Sequence, residues 1–411
     1  MSKGYINFLR ALLFNKIYSS QTINLISGTQ KTASRYRTQG IDNGHIRKIE
    51  CSKRARTTHK ITLYVLTKRG FRFLLENDDT ISEWLGDNAP EHLDVLSAAD
   101  RQEKNRLRVA RDTACLTLAQ NAGAYVPVEN YTTWVKAKLE TDEPDDDQNV
   151  PVAYVIAASL EKSLYEELFD QSAASPTIQF HSGRCVKAMA AENNSLTDVQ
   201  DFMAGRYNGV IDSKFKCVLM YAAPLFGMTW NTWATQKELS PYRIWAMKQA
   251  LLTPAQHKRA GRCCALVVTN EKQFKNLFFN VDGVNQGGAE FGGDFDHIYI
   301  VPLTTEGAKH LRWLMTTDDI SMNSEIISDA ISSGEYRRNK SSELRPYTLL
   351  DIHSNPTALG FQLDGKAILD MKKTADAHSD IDFTILCYDW QVPYYDAVMP
   401  NNVMTEPLEM E

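Results

Sequence analysis

The spacing of apolar residues predicts three helices at the start of the chain. Apolar side chains recur at helical intervals over residues 5–16 and again over residues 20–27, where Ser19 or Ser20 can cap the second helix and Gly28 ends it. Residues 29–42 predict a third helix that is mostly polar and basic. Its inward candidates are Ala33, Tyr36 and Ile41.

The pattern then changes from helical to alternating. After a turn at Asp42-Asn43-Gly44, apolar residues predict two strands joined by a basic loop over residues 51–60, and a last helix begins near Thr67. Three helices, a hairpin and a helix are what a winged helix-turn-helix requires, with the third helix for the major groove and the hairpin tip beside the backbone. Residues 1–77 are therefore predicted to form a DNA-binding domain of this kind.

The segment after this module is predicted to be a connector. Residues 78–149 contain a helix over 101–120, which Gly123 ends, and an acidic exposed loop over 140–148. The helix has a basic first half and an apolar second half, which indicates that it docks into the next domain.

The remaining chain predicts an α/β (α+β) fold. Strand-like and helix-like runs alternate over residues 150–320, as expected for helices around a mixed sheet. Residues 321–411 are predicted to add a C-terminal extension of further strands and an acidic tail from Thr405 to Glu411.

Charge is distributed unevenly along this pattern. Residues 1–76 hold 15 Lys and Arg against three Asp and Glu, a net charge of +12, so the rest of the chain carries −18 of the overall −6. A compact basic module attached to a larger acidic body is typical of a protein that binds a polyanion, and double-stranded DNA is the leading partner.

Two basic segments supply the candidate DNA contacts, because Lys and Arg neutralise phosphates and short polar side chains hydrogen-bond to bases or phosphates. For either segment alone, a basic face exposed to solvent is the alternative interpretation. Both segments are expected to face one duplex, which favours DNA binding. Those on the third helix are Gln30, Lys31, Thr32, Ser34, Arg35, Arg37, Thr38 and Gln39. Those on the hairpin are Lys53, Arg54, Arg56, His59 and Lys60.

Four segments resemble the replication-relaxation proteins of plasmids and conjugative elements and related mobilisation accessory proteins. They are Ile17–Thr22, Leu63–Gly70, Gly205–Ile211 and Asp296–Leu303, and the resemblance spans residues 5–320. It implies an N-terminal winged helix followed by an α/β domain similar to the PD-(D/E)XK nuclease core.

A nuclease of that class needs two carboxylates to hold a divalent cation and a lysine to orient the attacking water. This chain has Asn208 where the resemblance places an aspartate, and residues 217–221 contain neither acid nor lysine. Asp212, Lys214 and Lys216 could form an improvised site but are expected at a turn. We therefore expect an inactive core, no enzymatic activity, no metal and no cofactor.

Cysteine usage and the apolar pattern favour a cytoplasmic protein. The seven cysteines form no CxxC pair, which is expected of thiols in a reducing compartment. No stretch approaches the ~20 apolar residues that a membrane span needs, and the first residues do not resemble a secretory signal.

The function predicted from the sequence is that of a sequence-directed double-stranded DNA-binding accessory protein of a mobile element. It would position a relaxase or replication initiator, and a homodimer is expected because helix-turn-helix proteins commonly bind two half-sites. A metal-dependent nuclease using Asp212, and a transcriptional autorepressor, are the alternatives.

Overall fold

The computed structural model of the chain describes residues 2–52, 60–85, 103–127, 130, 174–183, 185, 207–222, 263–279 and 296–408. Over these residues the fold is mixed α/β, with helices packed on three sheets. The predicted acidic loop over 140–148 and the hairpin tip over 53–59 lie outside the described residues.

The N-terminal region has the predicted helices and hairpin plus one extra strand and one extra short helix. It contains α1 (Lys3–Asn15), β1 (Ile17–Ser19), α2 (Ser20–Ser27), α3 (Gln30–Asp42), β2 (Ile46–Ser52), β3 (Lys60–Leu66), α4 (Lys68–Asn77) and α5 (Asp79–Leu85). The three strands form an antiparallel sheet in the order β1-β3-β2. The sequence did not predict β1, because three residues are too short to display alternation.

The central region is a six-stranded sheet with helices on its faces. It contains α6 (Glu103–Asn121), β4 (Ala124–Tyr125), β5 (Ser175–Ser182), β6 (Gly209–Ser213), β7 (Cys217–Tyr221), β8 (Cys263–Val268), α7 (Glu271–Phe278), β9 (His297–Pro302) and α8 (Thr305–Thr316). The strands follow sequence order, with β5, β6 and β7 antiparallel and β7, β8 and β9 parallel, so the sheet is mixed as predicted.

The C-terminal region adds a five-stranded sheet, where the sequence predicts further strands, and helices that the sequence did not predict. It contains α9 (Asp319–Ser332), β10 (Arg337–Arg338), β11 (Leu349–Leu350), β12 (Pro356–Leu359), α10 (Gly365–Ala377), β13 (Phe383–Tyr388), a 3-10 turn (Asp389–Gln391), α11 (Val392–Asp396) and β14 (Val403–Leu408). The prediction of an acidic tail from Thr405 was wrong up to Leu408, since β14 pairs in parallel with β13.

Two hydrophobic cores lie on the two faces of the six-stranded sheet. Val218 and Met220 of β7 face the first core, which they share with the N-terminal helices, α6 and α8. Leu219 and Tyr221 face the second core, which α7, α10 and the C-terminal sheet complete. Because β7 and β8 are buried on both faces, their sequences are almost wholly apolar rather than alternating.

The helix α6 is a central packing element as well as a connection. Its apolar residues, including Ala110 and Ala114, lie in the same core as α1 and α2. The hydroxyl of Thr113 also donates a hydrogen bond of 2.8 Å to the backbone oxygen of Asn15. Gly123 follows the helix with φ +79°, as expected of a residue that ends a helix.

Candidate nucleic-acid interface

Local hydrogen bonds fix both ends of α3. The Thr29 hydroxyl accepts a hydrogen bond of 3.2 Å from the backbone N–H of Thr32, which caps the first turn. At the other end the chain turns through Asn43 and Gly44, and Gly44 has φ +68°, a conformation that glycine adopts without strain. The sequence predicted both features.

The inward side of α3 is apolar and tightly packed. Ala33 and Tyr36 are buried, and the Tyr36 ring stacks on Phe8 of α1 with 5.6 Å between ring centres. Gly40 is also buried, and a Cβ at this position would lie 2.9 Å from the side chain of Ile46. Ile41, predicted to face inward, is 45 % exposed, so that prediction was wrong and the glycine occupies the inward position instead.

The outward side of α3 is a continuous polar surface. Five of the eight residues predicted on this helix are exposed and Gln39 is half-buried. Their spacing places them on one face of a 3.6-residue helix. Together with Asp42 they line an open depression. The six residues are Gln30, Lys31, Ser34, Arg35, Thr38 and Gln39.

The two cations of this face are available to a partner. Within the described residues neither Lys31 nor Arg35 forms an ion pair, and the Arg35 guanidinium carbon lies 5.3 Å from the ring centre of Tyr36. A contact with an aromatic ring leaves the guanidinium charge uncompensated. Asp42, at the end of α3, is the acidic residue among those that line the depression.

The other two predicted residues of α3 lie beside this face. Thr32 is half-buried in the first turn, where its hydroxyl accepts a hydrogen bond of 2.9 Å from Thr29. Arg37 is half-buried, and its guanidinium carbon is 6.0 Å from the ring centre of Tyr64 on β3. Arg37 therefore lies between α3 and the sheet rather than in the depression.

The predicted hairpin contacts lie mostly outside the described residues. Lys60 begins β3 opposite Ser52, but the position of its side chain is outside what is described. The remaining four predicted hairpin contacts all lie outside the described residues: Lys53, Arg54, Arg56 and His59.

Two basic residues counted in the charge of the module have internal roles. Arg10 donates two hydrogen bonds, of 2.8 and 2.9 Å, to the two carboxylate oxygens of Asp78, whose side chain is 2 % exposed. Lys16 is buried directly after α1. The +12 of residues 1–76 is therefore not all surface charge.

Sequence reasoning missed exposed cations on α4. Lys68, Arg69 and Arg72 are exposed, and a Cβ on Gly44 would lie 3.5 Å from Cδ of Arg69. Arg69 is therefore next to the turn that follows α3. The charge count included these residues, but no pattern in the sequence places α4 beside that turn.

A buried histidine connects this turn to α1. The Tyr5 hydroxyl lies 3.1 Å from Nδ1 of His45, and the His45 ring stacks on Phe73 with 4.3 Å between ring centres. Burial, and to a smaller extent the charge of Arg69, lower the pKa of His45, while burial raises the pKa of Tyr5 to about 12. A neutral imidazole and a protonated hydroxyl can share this hydrogen bond without either group carrying a charge.

Asn208, the residue in place of the expected nuclease aspartate, has a structural role. It is buried just before β6, and its amide nitrogen donates a 2.7 Å hydrogen bond to a carboxylate oxygen of Asp112 on α6. Its amide oxygen accepts a 2.8 Å hydrogen bond from the backbone N–H of Ala222. Asn208 thus joins α6 to the end of β7.

Of the three residues that could form an improvised nuclease site, Lys216 has a structural role. Lys216 is buried, and its ammonium donates hydrogen bonds of 2.7 and 3.0 Å to the backbone oxygens of Leu314 and Thr317 at the end of α8. Asp212 lies within β6 opposite Cys217. Lys214 is exposed, with its nitrogen 4.5 Å from the ring centre of Phe215. Lys216, one of the two lysines of this group, therefore caps the end of a helix.

The described residues form neither a metal-ion cluster nor a membrane-spanning helix. They contain no group of three or more His, Cys, Asp or Glu placed to hold a metal ion. They also contain no helix with the length and apolar character needed to span a bilayer. In comparisons with known proteins, no family model, curated protein or solved structure matches the chain.

Proposed function

We propose that the protein binds double-stranded DNA in a sequence-directed manner, with residues 1–77 acting as a winged helix-turn-helix and α3 entering the major groove. The observation that supports this most directly is the outward face of α3, where Lys31 and Arg35 are exposed and have no ion-pair partner among the described residues. The hydroxyl and amide groups of Ser34, Thr38 and Gln30 beside them can hydrogen-bond to base edges.

The elements around α3 support the same proposal. α2 packs against α3, and the β2–β3 hairpin follows it along the chain, so a helix presented to the groove would have the hairpin tip beside the duplex backbone. The exposed α4 cations Lys68 and Arg72 would add to the phosphate attraction.

The biological setting of the proposal rests on the resemblance of four sequence segments. The protein acts as an accessory protein of a mobile element, in plasmid replication or conjugative transfer, and presents its DNA site to a relaxase or replication initiator. It binds two half-sites as a homodimer. The proposal does not include metal-dependent cleavage, because Lys216 caps α8 and Asn208 replaces a carboxylate.

The test begins with selection of a preferred duplex from a random-sequence pool by the full-length protein. Lys31→Glu with Arg35→Glu should then weaken binding to that duplex at least about 100-fold, because each lost cation contact costs ~1–3 kcal/mol and the new carboxylates repel phosphates. Fluorescence anisotropy over a series of salt concentrations measures both the affinity and its salt dependence.

A matched control separates a local contact from a change in overall charge. Lys272→Glu with Lys309→Glu makes the same charge change at exposed positions on α7 and α8. The control should retain most of the affinity. Equal affinities for the two double variants, or a wild-type protein that enriches no sequence and binds no duplex at low salt, would overturn the proposal.

The location of the preferred sequence distinguishes an origin-binding protein from an autorepressor. Both functions use the same contacts, so variants of α3 affect them equally. Genome-wide footprinting should find the site at a transfer or replication origin if the protein is an accessory factor. Sites confined to the promoter of its own gene would instead identify an autorepressor.

A further inference from the structure

The acidic body of the protein carries one exposed basic segment that the proposed function does not use. We call residues 337–345 the β10 loop. Its sequence holds four basic residues against one acid, a net charge of +3, although residues 77–411 together carry −18. The four basic residues are all exposed and are Arg337, Arg338, Lys340 and Arg345.

The position of this loop makes its cations accessible. β10 is the edge strand of the five-stranded sheet and pairs only with β11 among the described strands. The two arginines on it therefore flank an open sheet edge. Edge strands with charged side chains resist pairing with other strands, so this edge is suited to a polar or charged partner rather than to β-sheet addition.

The backbone of the loop is held by hydrogen bonds. The backbone N–H of Asn339 donates 2.8 Å to Thr348 O, and its side-chain amide donates 2.9 Å to Tyr347 O. The Thr374 hydroxyl of α10 donates 2.6 Å to the backbone oxygen of Arg345. Tyr347, directly after the loop, is buried in the second core. The cations therefore project from a fixed support, which lowers the entropy cost of binding.

Two of the nearby carboxylates are engaged with other groups, whereas Glu335 and Glu343 are exposed and reduce the net positive charge of this surface. Asp351 accepts hydrogen bonds from the backbone N–H groups of His353 and Asn355, and Glu406 accepts one of 2.9 Å from the Tyr336 hydroxyl. Arg337 donates to the Ser354 hydroxyl at 2.7 Å.

None of the four basic residues forms an ion pair within the described residues. The positive charge of the loop is thus left for an external anion.

We infer that the β10 loop is a second, sequence-independent contact for the phosphate backbone of bound DNA. This inference rests on the proposed function of α3. Four cations beside the exposed hydroxyls of Ser341 and Ser342 match the donors that proteins direct at phosphate oxygens. Because phosphates carry no sequence information, the loop strengthens binding to every duplex by the same factor, whereas α3 selects the sequence.

The test reverses three charges of the loop in the full-length protein with Arg338→Glu, Lys340→Glu and Arg345→Glu. The probes are the duplex selected by the wild-type protein and a scrambled duplex, each of about 50 base pairs. The slope of log affinity against log salt concentration should fall by roughly two to three, because each lost phosphate contact contributes about 0.9. Affinity should fall about tenfold or more for both duplexes, with their affinity ratio unchanged.

The control makes the same charge change at exposed lysines of the central region, with Lys214→Glu, Lys272→Glu and Lys309→Glu. This triple variant should keep a salt slope close to that of the wild-type protein. Equal salt slopes for the two triple variants would overturn the inference and leave the α3 proposal intact. A loop variant that changes the affinity ratio of the two duplexes would have the same consequence. A wild-type protein that binds neither duplex would overturn both proposals.

Discussion

The outward face of α3 and the turn between β6 and β7 carry similar side chains in different surroundings. Lys31 and Arg35 are exposed and have no ion-pair partner among the described residues. Lys216 is buried, and two backbone oxygens at the end of α8 accept its hydrogen bonds. The same charge is thus available for recognition at the first site and is part of the folded framework at the second.

This difference separates a charge that the fold uses from a charge that is open to a partner. An ammonium that caps a helix end donates to carbonyl groups that lack an intrahelical partner and interacts favourably with the negative end of the helix dipole. A cation at an open surface loses little by exchanging water for a phosphate. Three experiments on stability test the comparison, from the largest effect to the smallest.

Lys216→Met should cause the largest loss of stability. It removes two buried charge-assisted hydrogen bonds, each worth ~1.5–3 kcal/mol, so the free energy of unfolding should fall by about 4 kcal/mol in urea titrations. DNA affinity of the folded variant should stay at the wild-type value. Lys214→Met, at the exposed neighbour, is the control and should change stability by less than about 0.5 kcal/mol. A Lys216→Met protein as stable as this control would contradict the assignment.

The next largest effect is the loss of stability at low pH that His310, a buried neutral histidine of α8, should cause. His310 on α8 is fully buried, its Nε2 lies 3.2 Å from Gln362 O, and burial lowers its pKa to about 4. The unfolded chain takes up a proton near pH 6.5 and the folded one does not, so stability is complete above pH 6.5 and is lost as pH falls toward 4.

The expected loss from His310 is about 3 kcal/mol over this range. Urea unfolding of wild type and of His310→Gln at pH 7.5, 6 and 5 isolates it, since other titrating groups are common to both proteins. Glutamine can still donate to Gln362 O. Stability curves that run parallel for the two proteins would show that His310 does not titrate in this way.

The smallest expected effect compares two residues at α3, one that supports the fold and one that faces outward. Thr29→Ala removes the N-cap hydrogen bond and should lower the free energy of unfolding by about 1 kcal/mol. Ser34→Ala, on the outward face, should change stability by less than about 0.5 kcal/mol but should alter the preference for the selected duplex. Stability losses of equal size would mean that Ser34 is part of the fold rather than of the interface.

Much of the N-terminal region could be predicted because its signals are local. The Ser19 and Thr29 caps and the turns at Gly28 and Gly44 occur where the sequence placed them, and each involves residues within four positions. The outward face of α3 followed from helical periodicity, which made Ala33 and Tyr36 inward and left six of eight predicted residues around the depression.

Long-range contacts explain what was missed. Arg10 meets Asp78, 68 residues away, and Lys216 meets Leu314, 98 residues away. No local pattern marks either pair, so both basic residues looked like surface charge. The sequence predicts an acidic tail where β14 lies, because the strand character of β14 comes from pairing with β13 rather than from apolar alternation.

The sequence by itself determined the N-terminal order of helices and hairpin, the concentration of positive charge there and the mixed sheet that follows. Helix caps, turns and apolar periods act over a few residues, so they can be recognised in one dimension. Only the tertiary structure decided which cations remain at the surface and which are buried, and that the β10 loop forms an ordered basic edge. Those outcomes depend on partners far apart in the chain, which folding alone brings together.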